Sequence, residues 1–211
     1  MLHTAISKSK NPTLHNLFLP LSLHTLHTEI EEVYFCTVTC YKWLPLFEES
    51  QAYYSVYRWF NHLKHDGCKL LGYVIMPNHF HVLLFPTHSG TSVNKLVGEG
   101  KRFIAYSIVT GLRRSGKVDI LKILEDGVEE SELLKKKRHQ VFRSSFDARL
   151  CYNEKMIEQK LDYVHHNPVS GKWDLASDFV SYRYSSVGFY ELGVQHDVEI
   201  THYKDLFKAG S

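Results

Sequence analysis

The stretch LGYVIMPNHFHVLLF, residues 71–85, decides the fold because it contains two apolar runs separated by a turn signal. The first run, Lys69–Met76, is rich in aliphatic and aromatic residues, as strands are, and Pro77-Asn78 is a dipeptide typical of turns. The second run, His79–Phe85, stops at Pro86, which cannot continue a central strand. Because the connection is so short, we predict that the two runs pair as an antiparallel hairpin.

The flanking sequence extends this hairpin to an α+β domain. Periodicity and capping residues predict five further elements: a strand at Val33–Cys40, a helix from Ser50 to about His65, a helix from Ser92 to about Arg114, a strand at Gln140–Arg149 and a helix from Asn153 to Asn167. The order β-α-β-β-α-β, followed by a further helix, is the ferredoxin-like pattern on an antiparallel sheet. We therefore predict a ferredoxin-like α+β fold with an additional C-terminal helix.

The length of 211 residues fits one domain with appendages. We expect a flexible or loosely docked extension at residues 1–28, the domain at 29–195 with an insertion at 115–140, and a tail at 196–211. No run reaches the roughly 18 apolar residues of a membrane span, so we expect no membrane partner. The four cysteines form no C-x-x-C pair, which favours reduced, mostly buried thiols and a cytoplasmic location.

Charge is unevenly distributed along the chain. The net charge is only +2, yet residues 101–149 contain twelve Lys/Arg and seven Asp/Glu, a local +5. Runs such as Lys101-Arg102, Arg113-Arg114 and Lys135–Arg138 can neutralise phosphates. The alternative interpretation of each run is a solvated helix end.

Histidine is unusually frequent in the sequence, with 14 residues. His79 and His81 lie two apart in a predicted strand, so their side chains point to the same face, about 6.5–7 Å apart along the strand. Phe80 then points to the other, core-facing side. Two imidazoles on one face can bind one cation. Taken alone, such a pair is more often an ordinary polar surface of a half-buried strand.

The predicted helix at 153–167 has two separate stripes. With about 100° per residue, Ile157, Leu161 and Val164 form the apolar stripe. Gln159, Tyr163 and Asn167 fall about 40° apart on a second, polar and aromatic stripe, with Tyr163 and Asn167 one turn apart. Taken alone, this stripe is a helix end with a half-buried tyrosine.

Together, LGYVIMPNHFHVLLF (71–85) and LDYVHHNPVSGKW (161–173) resemble the two signature segments of the single-tyrosine HUH transposases. The branch of the REP-associated tyrosine transposases is the more similar one. HUH denotes two histidines around a hydrophobic residue, here His79-Phe80-His81. The segment SYRYSSVGFYE (181–191) resembles the C-terminal segment of that family. The resemblance covers roughly residues 30–192, apart from the 115–140 insertion.

The resemblance implies a transposase that cleaves and rejoins single-stranded DNA, often next to a hairpin. It assigns Tyr163 as the nucleophile that forms a 5′-phosphotyrosine link. It assigns His79, His81 and Asn167 as ligands of a divalent metal, Mg²⁺ or Mn²⁺. The family includes monomers and homodimers, and the sequence leaves both open.

Several weaker candidates accompany these four residues. The side chains that we consider for contacts with nucleic acid are Lys101, Arg102, Arg143, Gln159 and His166, and those that we consider for stacking on unpaired bases are Tyr41, Trp43 and Trp173. Ordinary surface or packing roles compete with each of these assignments. The main alternative function is a non-catalytic module that binds single-stranded nucleic acid, and a zinc hydrolase with a structural Tyr163 is another.

Overall fold

A computed structural model describes residues 31–87, 92–194 and 198–208. The extension predicted at residues 1–28 lies outside this range. Four strands form one sheet: β1 (Val33–Thr39), β2 (Cys68–Met76), β3 (His79–Pro86) and β4 (Asp147–Cys151). Their order is β2-β3-β1-β4, and every neighbouring pair is antiparallel. The α+β class and the predicted β2–β3 hairpin are confirmed.

The helices lie between and after the strands along the chain. They are α1 (Leu46–Ser50), α2 (Tyr53–His65), α3 (Val93–Arg114), α4 (Val118–Asp126), α5 (Glu130–Leu133), α6 (Glu154–His166), α7 (Val187–Leu192) and α8 (Asp205–Lys208). Two predicted caps are confirmed: the side chains of Ser92 and Asn153 accept hydrogen bonds from the first turns of α3 and α6. Within the described residues, no helix is both long and apolar enough to cross a bilayer.

Two predicted boundaries were wrong. The fourth strand begins at Asp147, not at Gln140, because the Gln140 N–H donates to Leu124 O of α4, and Phe142 makes only an isolated bridge to Cys40, just beyond β1. The helix predicted from Ser50 begins at Tyr53, because Ser50 is the last residue of α1 and Gln51, with a left-handed φ of 55°, ends that helix.

Helices cover both faces of the sheet. Phe80, as predicted, lies in the core beneath α2 and α3. On the opposite face, Val74 and Met76 of β2 pack against Leu161 and Val164 of α6. Each such buried side chain contributes about 1.5–3 kcal/mol relative to exposure. The alternative interpretation of the histidine pair as an ordinary polar surface of a half-buried strand does not fit, because β3 is covered on both sides and both histidines are buried.

A buried hydrogen-bond chain attaches α6 to the sheet. His165 Nε2 lies 2.9 Å from Ser186 Oγ, and the Tyr73 N–H of β2 donates to the same oxygen at 2.9 Å. His165 thus points toward Ser186 and β2, away from the β3 histidines. Burial lowers the pKa of His165 to about 4, so the ring is neutral near pH 7. This chain sets the position of α6, and with it the direction of Tyr163.

The segments outside the predicted domain core also contribute to packing. Leu124 of α4, which lies within the predicted insertion, is fully buried. Val198, which lies beyond the predicted domain boundary at 195, is also buried. The domain limits remain predictions. All four cysteines are free and buried, as expected.

Candidate active site

The histidine pair, His79 and His81, lies on the α6 side of β3. Their ring centroids are 4.8 Å apart, and the residues are only 6% and 4% exposed. The β1 register places Thr37 opposite His81, and Thr37 Oγ1 lies 2.9 Å from His81 Nδ1. His79 Nδ1 donates to Asn78 Oδ1 at 2.6 Å, since an amide oxygen can only accept. Each ring therefore has a polar partner at Nδ1 that fixes its orientation.

The Nε2 atoms are the ones left for a ligand. A neutral His79 that donates through Nδ1 carries its lone pair on Nε2. His81 Nε2 is buried and has no hydrogen-bond partner within the described residues. Burial lowers the pKa of His79 to about 4 and that of His81 to about 3, which keeps both rings neutral, the form that binds metals. Nearby Lys172 and Lys160 lower these pKa values further.

Helix α6 brings Tyr163 and Asn167 to the histidine pair. The Tyr163 side chain is 50% exposed, and its ring centroid lies 5.2 Å from that of His81. Asn167 is the C-cap residue of α6, one turn later, and is 8% exposed. All four side chains line one cavity of about 630 Å³. The structure thus brings together, within one chain, the four residues that the two sequence motifs single out.

Other residues of the cavity wall were missed by the sequence reasoning. Those of the sheet are Phe35, Thr37, Asp147 and Arg149, and those from α6 and the segment after it are Lys160, Ser170, Gly171 and Lys172. The β1 and β4 residues gave no usable signal, because their position depends on strand pairing. Lys160 could have been found: three residues before Tyr163, it falls about 60° from it, close to Asn167 on the helical wheel.

Cations lie against aromatic rings around this cavity. Lys160 Nζ lies 4.8 Å above the centroid of Phe35, whose ring also stacks on His81 at 5.2 Å. Lys172 Nζ lies 5.2 Å above Trp173, and Arg143 Cζ lies 5.4 Å above Trp43. Such contacts keep cations in place beside apolar walls. The cavity mouth therefore suits a ligand with negative charge and flat apolar groups.

Of the weaker candidates, Trp43 and Trp173 line the cavity, and the others do not. Gln159 and Arg102 are exposed and do not line the cavity. His166 Nδ1 lies 3.0 Å from Asp162 O, and its ring stacks on Phe179 at 4.1 Å. These local contacts account for His166 without a ligand, and its assignment and that of Gln159 remain predictions.

Lys101 has a structural contact instead of a free ammonium group. Its Nζ donates to the backbone carbonyls of Arg143 and Ser144, at 2.7 and 3.2 Å. Burial lowers its pKa to about 8. Lys101 thus anchors the segment that places Arg143 over Trp43, while Arg143 itself is exposed beside the cavity.

The donor set fits a divalent metal. Within the described ranges, no three His, Cys, Asp or Glu side chains form a metal-binding cluster. The donor set would therefore consist of the two imidazoles and the amide oxygen of Asn167. The Nε2 of His81 is buried and has no hydrogen-bond partner among the described residues, so a metal ion would satisfy it. Imidazole combined with amide oxygen suits Mn²⁺ and related ions. The Asn78 and Thr37 partners are the outer contacts that metal-binding histidines usually have.

Comparison with known proteins bears on the fold. No protein-family model matches the chain, and no curated protein matches it. Among solved structures, the chain is similar to a REP-associated tyrosine transposase bound to a REP hairpin, with a TM-score of 0.53 and 14% identity over 86% of this chain and 92% of that one. The structural resemblance expected from the two motifs is confirmed. At this identity the match establishes a shared fold.

Proposed function

We propose that this protein is a single-tyrosine HUH transposase that cleaves and rejoins single-stranded DNA. The observation that carries the proposal is that α6 places Tyr163 and Asn167 against the histidine pair in one cavity. The proposal includes a ferredoxin-like β-α-β-β-α-β connection of the sheet, with α6 as the added catalytic helix. The strand order β2-β3-β1-β4 supports this connection.

Tyr163 is the nucleophile. Its Oη loses a proton and attacks the phosphorus of a phosphodiester, the bond from phosphorus to the 3′ oxygen breaks, and that oxygen takes up a proton. The products are a 5′-phosphotyrosine link and a free 3′-OH. Attack by another 3′-OH reverses the step and joins strands without an external energy source. The half-exposed position of Tyr163 leaves its side chain accessible to a polymer substrate.

His79, His81 and Asn167 would hold Mg²⁺ or Mn²⁺. A bound ion would supply Lewis acidity at a phosphoryl oxygen of the substrate and would neutralise negative charge there. The protein supplies neutral imidazoles in fixed orientations, because burial and the Nδ1 contacts of both rings select that state. Lys160 adds a cation beside Tyr163, where it attracts the phosphate.

Single-stranded DNA next to a hairpin is the proposed partner, and the related transposase structure was determined with a REP hairpin. Exposed Arg102, Arg143 and Arg149 are available for the DNA backbone. The proposed active site is complete within one chain, so both monomeric and homodimeric forms are compatible with it.

A covalent-adduct assay tests the proposal. The protein is incubated with Mn²⁺ and end-labelled single strands from the DNA that flanks its gene, and denaturing gels are examined for a protein–oligonucleotide band. We expect a band with the wild type and none with Tyr163→Phe or with EDTA. Tyr152→Phe, which alters an exposed tyrosine outside the cavity, is the matched control and should keep the band.

The outcomes separate the alternatives. A band that persists in Tyr163→Phe would refute the assigned nucleophile. Free cleavage products without an adduct would favour the hydrolase, and binding without cleavage would favour a non-catalytic nucleic-acid module.

A further inference from the structure

Trp43 occupies a backbone conformation that bulky residues rarely adopt. Lys42 and Trp43 have φ values of 51° and 59°, in the left-handed region, and the Leu44 N–H donates to Tyr41 O at 3.1 Å to close the turn. Two left-handed residues in the centre of a turn are usually supplied by Asn and Gly. The Tyr41–Leu44 turn contains neither. Backbone strain of this kind tends to be retained where it positions a functional side chain.

The turn places the Trp43 ring at the cavity and not in the core. Trp43 is 50% exposed and lines the cavity, whereas Trp59 of α2 is 4% exposed. The ring centroid of Trp43 lies 5.9 Å from that of His79 in an edge-to-face arrangement, and the guanidinium of Arg143 lies over the Trp43 ring. A half-exposed indole with a cation over it, beside a proposed phosphate site, matches the platforms on which proteins stack unpaired bases.

One buried side chain couples this turn to the proposed metal site. Asn78, 4% exposed, donates from Nδ2 to Trp43 O at 3.3 Å and accepts from His79 Nδ1 through Oδ1. The same amide thus holds the backbone of Trp43 and the ring of His79. The distance between the indole and the histidine pair is therefore set by the protein before any ligand binds.

We propose that Trp43 is a stacking platform for an unpaired base next to the phosphate that Tyr163 attacks, with Arg143 supporting the ring. This inference rests on the proposed function. It assigns a base contact that neither the metal site nor the nucleophile requires. It predicts that removal of the ring weakens binding of bases but not of the sugar-phosphate backbone.

The test is fluorescence anisotropy with the full chain in a Tyr163→Phe background, so that no covalent adduct forms. One probe is a labelled single strand of random sequence, about 20 nucleotides long, which exceeds the typical site of one domain. The second probe is the same length of abasic sugar-phosphate. Trp43→Gly removes the ring and suits the left-handed backbone, so it should fold at least as well as its parent. Trp43→Phe keeps an aromatic ring, and Tyr106→Ala removes a 71% exposed ring on α3 as a matched control.

We expect Trp43→Gly to weaken binding of the random strand by about 5-fold to 150-fold and to leave the abasic strand unchanged. Trp43→Phe should retain most of the affinity, and Tyr106→Ala should match the parent. Equal binding by Trp43→Gly and the parent, or equal losses of affinity for both probes, would refute the stacking role of Trp43 and leave the proposed function unaffected. Failure of the parent protein to bind the random strand would instead overturn the proposed function together with the platform.

Discussion

Thr37 provides a sharp test of the metal site, because it contacts a proposed ligand without being one. Its Oγ1 lies 2.9 Å from His81 Nδ1, across the β1–β3 pair. Thr37→Val removes this oxygen and keeps the branched shape that strands favour. Removal of a hydrogen-bond partner of a metal-binding histidine typically lowers the metal affinity about 10- to 100-fold, which corresponds to about 1.4–2.8 kcal/mol of binding free energy. We therefore expect Thr37→Val to weaken Mn²⁺ binding by that factor.

Thr39 is the matched control. It lies two residues further along β1, pairs with His79 in the register and is 8% exposed. The Nδ1 of His79 is already bonded to Asn78, so Thr39→Val removes a hydroxyl from the same strand without depriving either ring of its partner. We expect its Mn²⁺ affinity to equal that of the wild type.

Isothermal titration calorimetry with Mn²⁺ measures both variants, and urea unfolding without metal checks that they fold. The lost Thr37 hydrogen bond should lower the free energy of unfolding by only about 0.5–1.5 kcal/mol. Unchanged affinity in Thr37→Val, or equal losses in both variants, would refute the reasoning that Thr37 orients His81 for a metal.

Three further predictions follow from packing and charge. Lys160→Ala should weaken single-stranded DNA binding and reduce the slope of log affinity against log salt by about 0.7, whereas Lys155→Ala, on the exposed part of α6, should bind like the wild type in the same anisotropy titration. Gly111→Ala should lower the free energy of unfolding by about 1–3 kcal/mol in urea, because the new Cβ would overlap Ser50 O, whereas Gly98→Ala, with nothing within 4 Å, should raise it by about 0.5–1 kcal/mol. The histidine pair stays neutral in the folded chain down to about pH 4 but takes up protons in the unfolded chain below about pH 6.5. As the pH falls between these values, the free energy of unfolding of the metal-free protein should therefore decrease by up to about 1.4 kcal/mol per histidine for each pH unit. Urea unfolding at a series of pH values checks this, and equal stability at pH 7 and pH 5 would contradict it.

Predictions from the sequence are confirmed where the interactions that determine a feature lie within a few neighbouring residues. The caps Ser92 and Asn153 act within one helical turn, and both are observed. The strand boundary predicted at Gln140 was wrong because the Gln140 N–H donates to Leu124 O of α4, a contact with a segment outside the sheet. The sequence pattern of β3 did not distinguish an exposed polar face from a buried one, because the covering helix α6 lies about 70 residues further along the chain.

The sequence by itself determined which side chains share a face. A period of two puts His79 and His81 on one side of β3, and a period of 3.6 puts Tyr163 and Asn167 on one side of α6. These periods follow from backbone geometry and need no knowledge of the rest of the chain.

Only the tertiary structure decided that the two faces meet, and which neighbours complete the site. Packing of Leu161 and Val164 against β2 turns Tyr163 toward the histidine pair, and strand register places Thr37 beside His81. The left-handed turn at Trp43 goes against local preference and is held by contacts from Asn78. Such contacts join residues far apart in the chain, so their energies appear only when the whole core is assembled.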